Sequence, residues 1–210
     1  MFINCGCGFE AVELTAAHPI HSLTHMRLGI CMRAIAILIA ISTGPILGFG
    51  QWSSPKAPVI PDADGYVTIP HAAVPPDKAR VYKAIFDATR AANKPAELLP
   101  ALNMAGSEFS ALGAAGVPLQ NAKLAIIFHS PAINGILDDA HYREKFGVSN
   151  PNLKVLSQLK KSEAEIFVCG QNLAADKIDP KTLSADVEIA SDALVVLMTY
   201  QNNGYSLLSF

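Results

Sequence analysis

The sequence predicts an α/β domain, a parallel sheet with helices packed on both of its faces. Three observations lead there. From residue 82 onward, short apolar runs alternate with helical patterns, which is the order that a parallel sheet and its crossover helices require. The run Lys123-Leu124-Ala125-Ile126-Ile127-Phe128 is apolar almost without a break, as in a strand covered on both sides. Hydrophobic residues make up 50% of the chain but aromatic ones only 7%, so the core is built from Ala, Leu, Val and Ile.

The elements follow in order. Arg27 and Arg33, the apolar run Ala34 to Ile41, Ser42-Thr43-Gly44-Pro45 and the small residues of Gly48-Phe49-Gly50 read as a cleavable secretory signal. The run is shorter than the ~18 residues a spanning helix needs. Membrane contact is therefore expected only through this segment before cleavage. Residues upstream of Met26 precede any recognisable signal, and an over-extended start would explain them, with Met26 or Met32 as the true start in place of Met1. Cleavage near Gly50 leaves about 160 residues, enough for one domain. The expected organisation is 1–50 extension and signal, 51–78 arm, and 79–210 domain, in a periplasmic or secreted protein.

The arm carries Pro55, Pro58, Pro61, Pro70, Pro75 and Pro76, which exclude a helix and most central-strand positions. Within it, Val59-Ile60 and Tyr66 to Ile69 flank Asp62-Ala63-Asp64-Gly65, a loop that suits a hairpin. The arm either pads the domain edge or reaches a neighbouring subunit. Tyr82 to Asp87 is the first strand. A helix with Leu98, Leu102, Ala105, Phe109 and Leu112 at helical spacing follows; Pro100 fits only in its first turn. After the second strand, Lys123 to Phe128, come helices over Asp139 to Phe146, stopped by Gly147, and over Leu153 to Lys161, capped by Asn152. Glu165 to Cys169 is the third strand. A short helix over Leu173 to Lys177, a turn begun by Asp179-Pro180, and a strand at Val187 to Ile189 complete the next stretch. Ser191 caps a helix to about Asn203, and Tyr205 to Leu208 closes the chain as a last strand.

Cys5, Cys7 and Cys31 precede the cleavage point, so Cys169 is the one thiol expected in the mature protein. An internal disulfide is then impossible, and stability rests on packing. Cys169 ends an apolar strand and precedes Gly170-Gln171-Asn172, which places it at a strand-to-helix junction, on the sheet edge where ligands gather in open α/β folds. A helix N-terminus stabilises a thiolate, which makes the sulfur nucleophilic. Alternatively, the thiol is a small buried hydrophobe. His129 ends the second strand on the same edge, about 4.8 Å away if the two strands are neighbours, and is either a proton acceptor for the thiol or a loop-stabilising histidine. Gly170, Gln171, Asn172 and Asn134 are candidate ligand-binding residues of the same edge, or loop caps.

Several functions are excluded or left without support. The net charge of −2 with no long charge run argues against nucleic acid as a partner. Cys5-Gly6-Cys7 with His18, His21 and His25 lacks the two-pair zinc spacing, and Asp138-Asp139 has a helix-start explanation, so no metal is expected. No Gly-x-Ser-x-Gly elbow, phosphate loop or dinucleotide fingerprint is present. No organic cofactor is implied.

Taken together, Phe128-His129-Ser130-Pro131-Ala132, Asn150-Pro151-Asn152-Leu153, Val168-Cys169-Gly170-Gln171, Ile178-Asp179-Pro180 and Gln201-Asn202-Asn203-Gly204-Tyr205 give Tyr82 to Phe210 a resemblance to the DsrE/DsrF-like family, the sulfur-relay fold, in its exported single-domain branch. The resemblance implies a three-layer α/β/α domain with a largely parallel five-stranded sheet, and homo-oligomers, often trimers or larger. Cytoplasmic relay members carry sulfane sulfur as a persulfide on the cysteine after the third strand, the position of Cys169. Where those members continue with an Ala-rich helix and paired arginines, this chain has Gly170-Gln171-Asn172 and Ala175-Asp176-Lys177. The expectation is an exported sulfur carrier or handler acting through Cys169 with a sulfur donor and acceptor. The alternatives are a non-catalytic small-ligand-binding module and a structural homo-oligomer.

Overall fold

The computed structural model describes residues 52–210. The signal and upstream extension expected over 1–50 lie outside the described residues. Five strands, β1 (Tyr82–Ala88), β2 (Ala122–Phe128), β3 (Glu165–Cys169), β4 (Glu188–Ala190) and β5 (Ser206–Ser209), form one sheet in the order β4-β3-β2-β1-β5. Every pairing is parallel. The register aligns Leu208, Phe86, Ile126 and Ile166 in one row, and Phe128, Val168 and Ile189 in another.

Because side chains alternate across a strand, each apolar run feeds two cores. Phe86, Leu124, Ile126, Phe128, Ile166 and Val168 point to one face, where they meet α1 (Pro100–Ala114) and α3 (Leu153–Lys161). Ile85, Ala125, Ile127 and Cys169 point to the other, under α5 (Ala193–Asn202). Two further helices, α2 (Asp139–Phe146) and α4 (Gly170–Asp176), lie on the β2–β3 and β3–β4 connections. Leu173 of α4 joins the α1/α3 side. The layers are thus uneven, with the larger core under α1 and α3.

Four local expectations are corrected. Asn152 does not cap α3 with its side chain. Its Oδ1 accepts the Leu99 N–H at 2.8 Å and its Nδ2 donates to Asn150 Oδ1 at 2.9 Å. Asn150 in turn donates to the Gly135 and Leu137 carbonyls at 3.0 and 2.6 Å. Both asparagines are buried, and linking α1, α3 and the 130–136 turn satisfies more groups than one cap would. The cap of α5 is Asp192, not Ser191: its Oδ1 accepts the Leu194 and Val195 N–H groups at 2.7 and 3.3 Å. The helix expected from Leu173 begins three residues earlier, directly after Cys169. In the arm, the hairpin reduces to one antiparallel bridge between Lys56 and Tyr66, since the prolines leave few N–H groups for a ladder.

The arm docks on its own domain. Ile60 is fully buried and its N–H donates to Ser110 Oγ at 3.2 Å. Asp64 and Asn103 exchange two hydrogen bonds, and Asp62 and Gln158 do the same, pinning the loop to α1 and α3. Gly106 makes the close approach possible, since a Cβ there would stand 2.4 Å from Ala63 Cβ. Ile60→Ala is expected to destabilise the protein by about 2–4 kcal/mol through lost burial and a residual cavity. Urea unfolding measures it, and a loss below about 0.5 kcal/mol would mean the arm contributes nothing to the fold.

Candidate functional site

The connections after β1, β2 and β3 carry their helices to one face, whereas the connection after β4 carries α5 to the other. The chain therefore splits between β3 and β4, and the crevice outside the carboxyl ends of such a pair is where open α/β sheets bind ligands. Cys169, the last residue of β3, stands at that split. It pairs in register with Ala190 of β4. Its side chain faces α5, and Sγ accepts the Ala193 N–H at 3.3 Å. The sulfur thus sits at the head of α5, across the sheet edge from α4, the helix that Cys169 itself precedes. Cys169 is 5% exposed.

Asp192 shares that helix head. Its carboxylate takes the next two N–H groups, so α5 begins with a sulfur and a carboxylate side by side. Gly170 has a packing reason for being glycine, because a Cβ would stand 2.7 Å from the Ala190 carbonyl oxygen. β3 and β4 can approach only with a bare backbone at this point.

One strand over, His129 follows the end of β2, and its N–H still donates to Ala88 O at 3.1 Å. It falls on the same face as Cys169, since Phe128 pairs with Val168 on the opposite face. The partners of the two side chains diverge. His129 Nε2 lies 2.6 Å from Asp87 Oδ1 on β1, with both side chains largely covered. Asp87 Oδ2 also accepts from Ser209 Oγ at 3.3 Å. Ser130 Oγ lies 3.3 Å from His129 Nδ1. An ionised carboxylate only accepts, so Nε2 carries a hydrogen, and in the neutral imidazole Nδ1 is left to accept the Ser130 hydroxyl.

Ser130 is exposed and has φ +54°, in the left-handed region that non-glycine residues seldom occupy. Its N–H donates to Asn172 Oδ1 at 2.7 Å, and Asn172 Nδ2 donates to Asp176 Oδ2 at 2.9 Å. Asn172 is thereby brought beside the His129 loop, while Gln171 is exposed. Asn134 lies apart from both. It donates to Pro131 O, accepts from Lys145 Nζ at 2.6 Å, and lines a cavity of about 120 Å³ with Leu99, Pro131, Gly135, Tyr142 and Phe146. Sequence reasoning did not join Asp87 or Ser130 to His129, nor place Asp192 beside Cys169. An acidic residue near the end of an apolar strand run was the available signal for Asp87.

Asp138 is accounted for as the cap of α2. Its Oδ1 accepts the His141 N–H at 2.8 Å, and this bond, with the His141 imidazole, holds its carboxyl below the usual range. Asp139 is held low by Arg143 and by the Asn150 N–H. Among the described residues no group of three or more His, Cys, Asp or Glu side chains could hold a metal ion, and no helix is long and apolar enough to cross a membrane.

The chain belongs to the DsrE/DsrF-like family, whose model matches residues 83–210. No curated protein is similar to it. Among solved structures it is similar to a protein of unknown function, MTH1491, from Methanobacterium thermoautotrophicum, at 15% identity and TM-score 0.47, and to the ychN protein from E. coli, at 20% identity and TM-score 0.40. Each match covers 61% of this chain and 99% of the other.

Replacing Asp192 by Ala removes the acceptor for two helix N–H groups and is expected to cost about 1 kcal/mol, whereas Asp192→Asn, itself a good cap, costs little. Thermal melts of the two variants check this. Equal melting temperatures would show that the helix head draws nothing from the side chain.

Proposed function

We propose that the protein is an exported sulfur handler of the DsrE/DsrF-like family, in which Cys169 accepts sulfane sulfur and passes it to a thiol. The observation that carries the reading is the position of Cys169 at the β3/β4 split with its sulfur on the Ala193 N–H. In the acceptance step the Cys169 thiolate attacks the outer sulfur of a donor persulfide. The donor S–S bond breaks, the donor leaves as its thiol, and Cys169 becomes a persulfide. An N–H at the head of α5 is placed to stabilise the anionic sulfur before and after transfer. His129, one strand over, is the candidate proton acceptor, reached through water because its Nδ1 faces Ser130. Export rests on the arginine-flanked apolar run ahead of Gln51.

Incubating the native protein with polysulfide is expected to add the mass of one sulfur atom to Cys169. Cys169→Ser should abolish the gain, because a hydroxyl is a far weaker nucleophile, and His129→Ala should slow it roughly 10²-fold. The same intact-mass spectrum of protein made in its host should begin near Gln51. A native protein whose Cys169 takes up no sulfur would remove the reading.

A second property has its own support. The outer side of α5 presents Leu194, Val195 and Met198 at 64%, 48% and 57% exposure, an apolar stripe of the kind that marks an interaction surface. We infer self-association of the protein through this stripe, into the trimers or larger oligomers that the family resemblance implies. Met198→Asp should shift the mass seen by light scattering toward the monomer. A wild-type protein that is already monomeric at micromolar concentration would overturn it.

A further inference from the structure

The sheet edge holds a second nucleophile that no sequence motif announces. Ser130 Oγ donates to His129 Nδ1, and His129 Nε2 donates to Asp87 Oδ1 at 2.6 Å. A nucleophile within reach of a base, and a base oriented by a third group, is the arrangement that activates a serine, whatever the order of its members in the chain. The Ser130–His129 separation of 3.3 Å is at the loose end that unliganded sites commonly show. One further observation bears on it independently. Ser130 holds a left-handed backbone, φ +54°, which a non-glycine residue seldom adopts, at an exposed corner just past the strand.

We propose that Ser130 is an acyl-accepting nucleophile for carboxylic esters, with His129 as its general base and Asp87 as the residue that positions and charges the imidazole. Ser130 Oγ attacks the ester carbonyl, its proton passes to His129 Nδ1, the carbon–oxygen bond to the leaving alcohol breaks, and the leaving oxygen recovers a proton from the imidazolium. Water then attacks the acyl-serine with Nδ1 again taking the proton, and Ser130 is restored as the carboxylic acid departs. The Ser130 N–H is already given to Asn172 and residue 131 is proline, so no pair of backbone N–H groups flanks the oxyanion, which is met by water. The expected rate gain is therefore that of general-base assistance, roughly 10²–10⁴-fold, and the chemistry is slow. It goes beyond the sulfur reading and does not depend on it.

The test uses the full chain with p-nitrophenyl butyrate, locating the acyl group by peptide mass. Butyryl on Ser130 is expected, absent in Ser130→Ala. Asp87→Asn should lower the rate at least about 10²-fold, because an asparagine amide can donate to Nε2 and so move the ring hydrogen to Nδ1, which then cannot take the serine proton. The ¹⁵N shifts of His129 report that exchange of tautomers directly. If Asp87→Asn does not fold, His129→Gln supplies the same comparison with the base removed. Butyryl found only on Cys169 or lysines overturns the proposal and leaves sulfur chemistry at Cys169 standing. An unchanged rate on Ser130 in the Asp87 or His129 variant overturns it as well.

Discussion

The direction of one crossover fixes everything else in this molecule. Parallel strands must be joined by connections of one hand, so the sense in which the chain steps along the sheet decides which face its helix covers. From β1 to β4 the chain steps three times in one direction, and α1, α3 and Leu173 of α4 all fall on one face. The return from β4 to β5 spans the whole sheet in the opposite direction, and α5 falls on the other face. Among the described residues a single helix of ten residues covers that face of the five-stranded sheet. The buried core beneath it is small, and apolar residues of α5 remain at the surface.

The same reversal creates the chemical edge. Where the chain parts between β3 and β4, the head of α5 comes down on the end of β3, and the cysteine there meets a helix N–H. The crowded side is closed differently. Asn150 and Asn152 hold the starts of α1 and α3 against the turn after β2 with every polar group paired, and Ile60 of the arm fills the outer groove of α1. Rigid packing on that face is what lets His129 and Ser130, at the start of the 130–136 turn, hold fixed positions over the sheet edge.

Much of the fold was legible because its signals are local. The runs at 82–87, 123–128 and 165–169 contain consecutive apolar residues, and each became a strand within one residue of its expected ends. Caps were less legible. Ser191 and Asp192 are adjacent good capping residues, and the choice between them depends on where β4 releases the chain, which is a tertiary fact. Asn152 has the right side chain in the right place to cap α3, yet Leu99 offers it a buried N–H from 53 residues away. Cys169 and His129 could be placed on one edge from strand order alone. Asp87 could not be joined to His129, because their contact depends on β1 and β2 being neighbours in a register that puts residues 87 and 129 on one face.

Cys169 and Ser130 divide the edge between them by exposure. The thiol is the more reactive atom in principle but is nearly covered, so its chemistry is governed by whatever opens the crevice between β3 and β4. The hydroxyl is the weaker nucleophile but lies open, backed by a carboxylate-bound imidazole. The two share His129 only if Nδ1 can leave Ser130 and turn toward the sulfur, and the Asp87 bond resists that motion by anchoring Nε2 on the far side of the ring. An imidazole held in this way serves the group its free nitrogen faces. In the structure that group is Ser130, so proton transfer to or from Cys169 must run through water or through a rotation that breaks the Asp87 bond. In the two proposed reactions, Asp87 would therefore set which nucleophile the histidine assists.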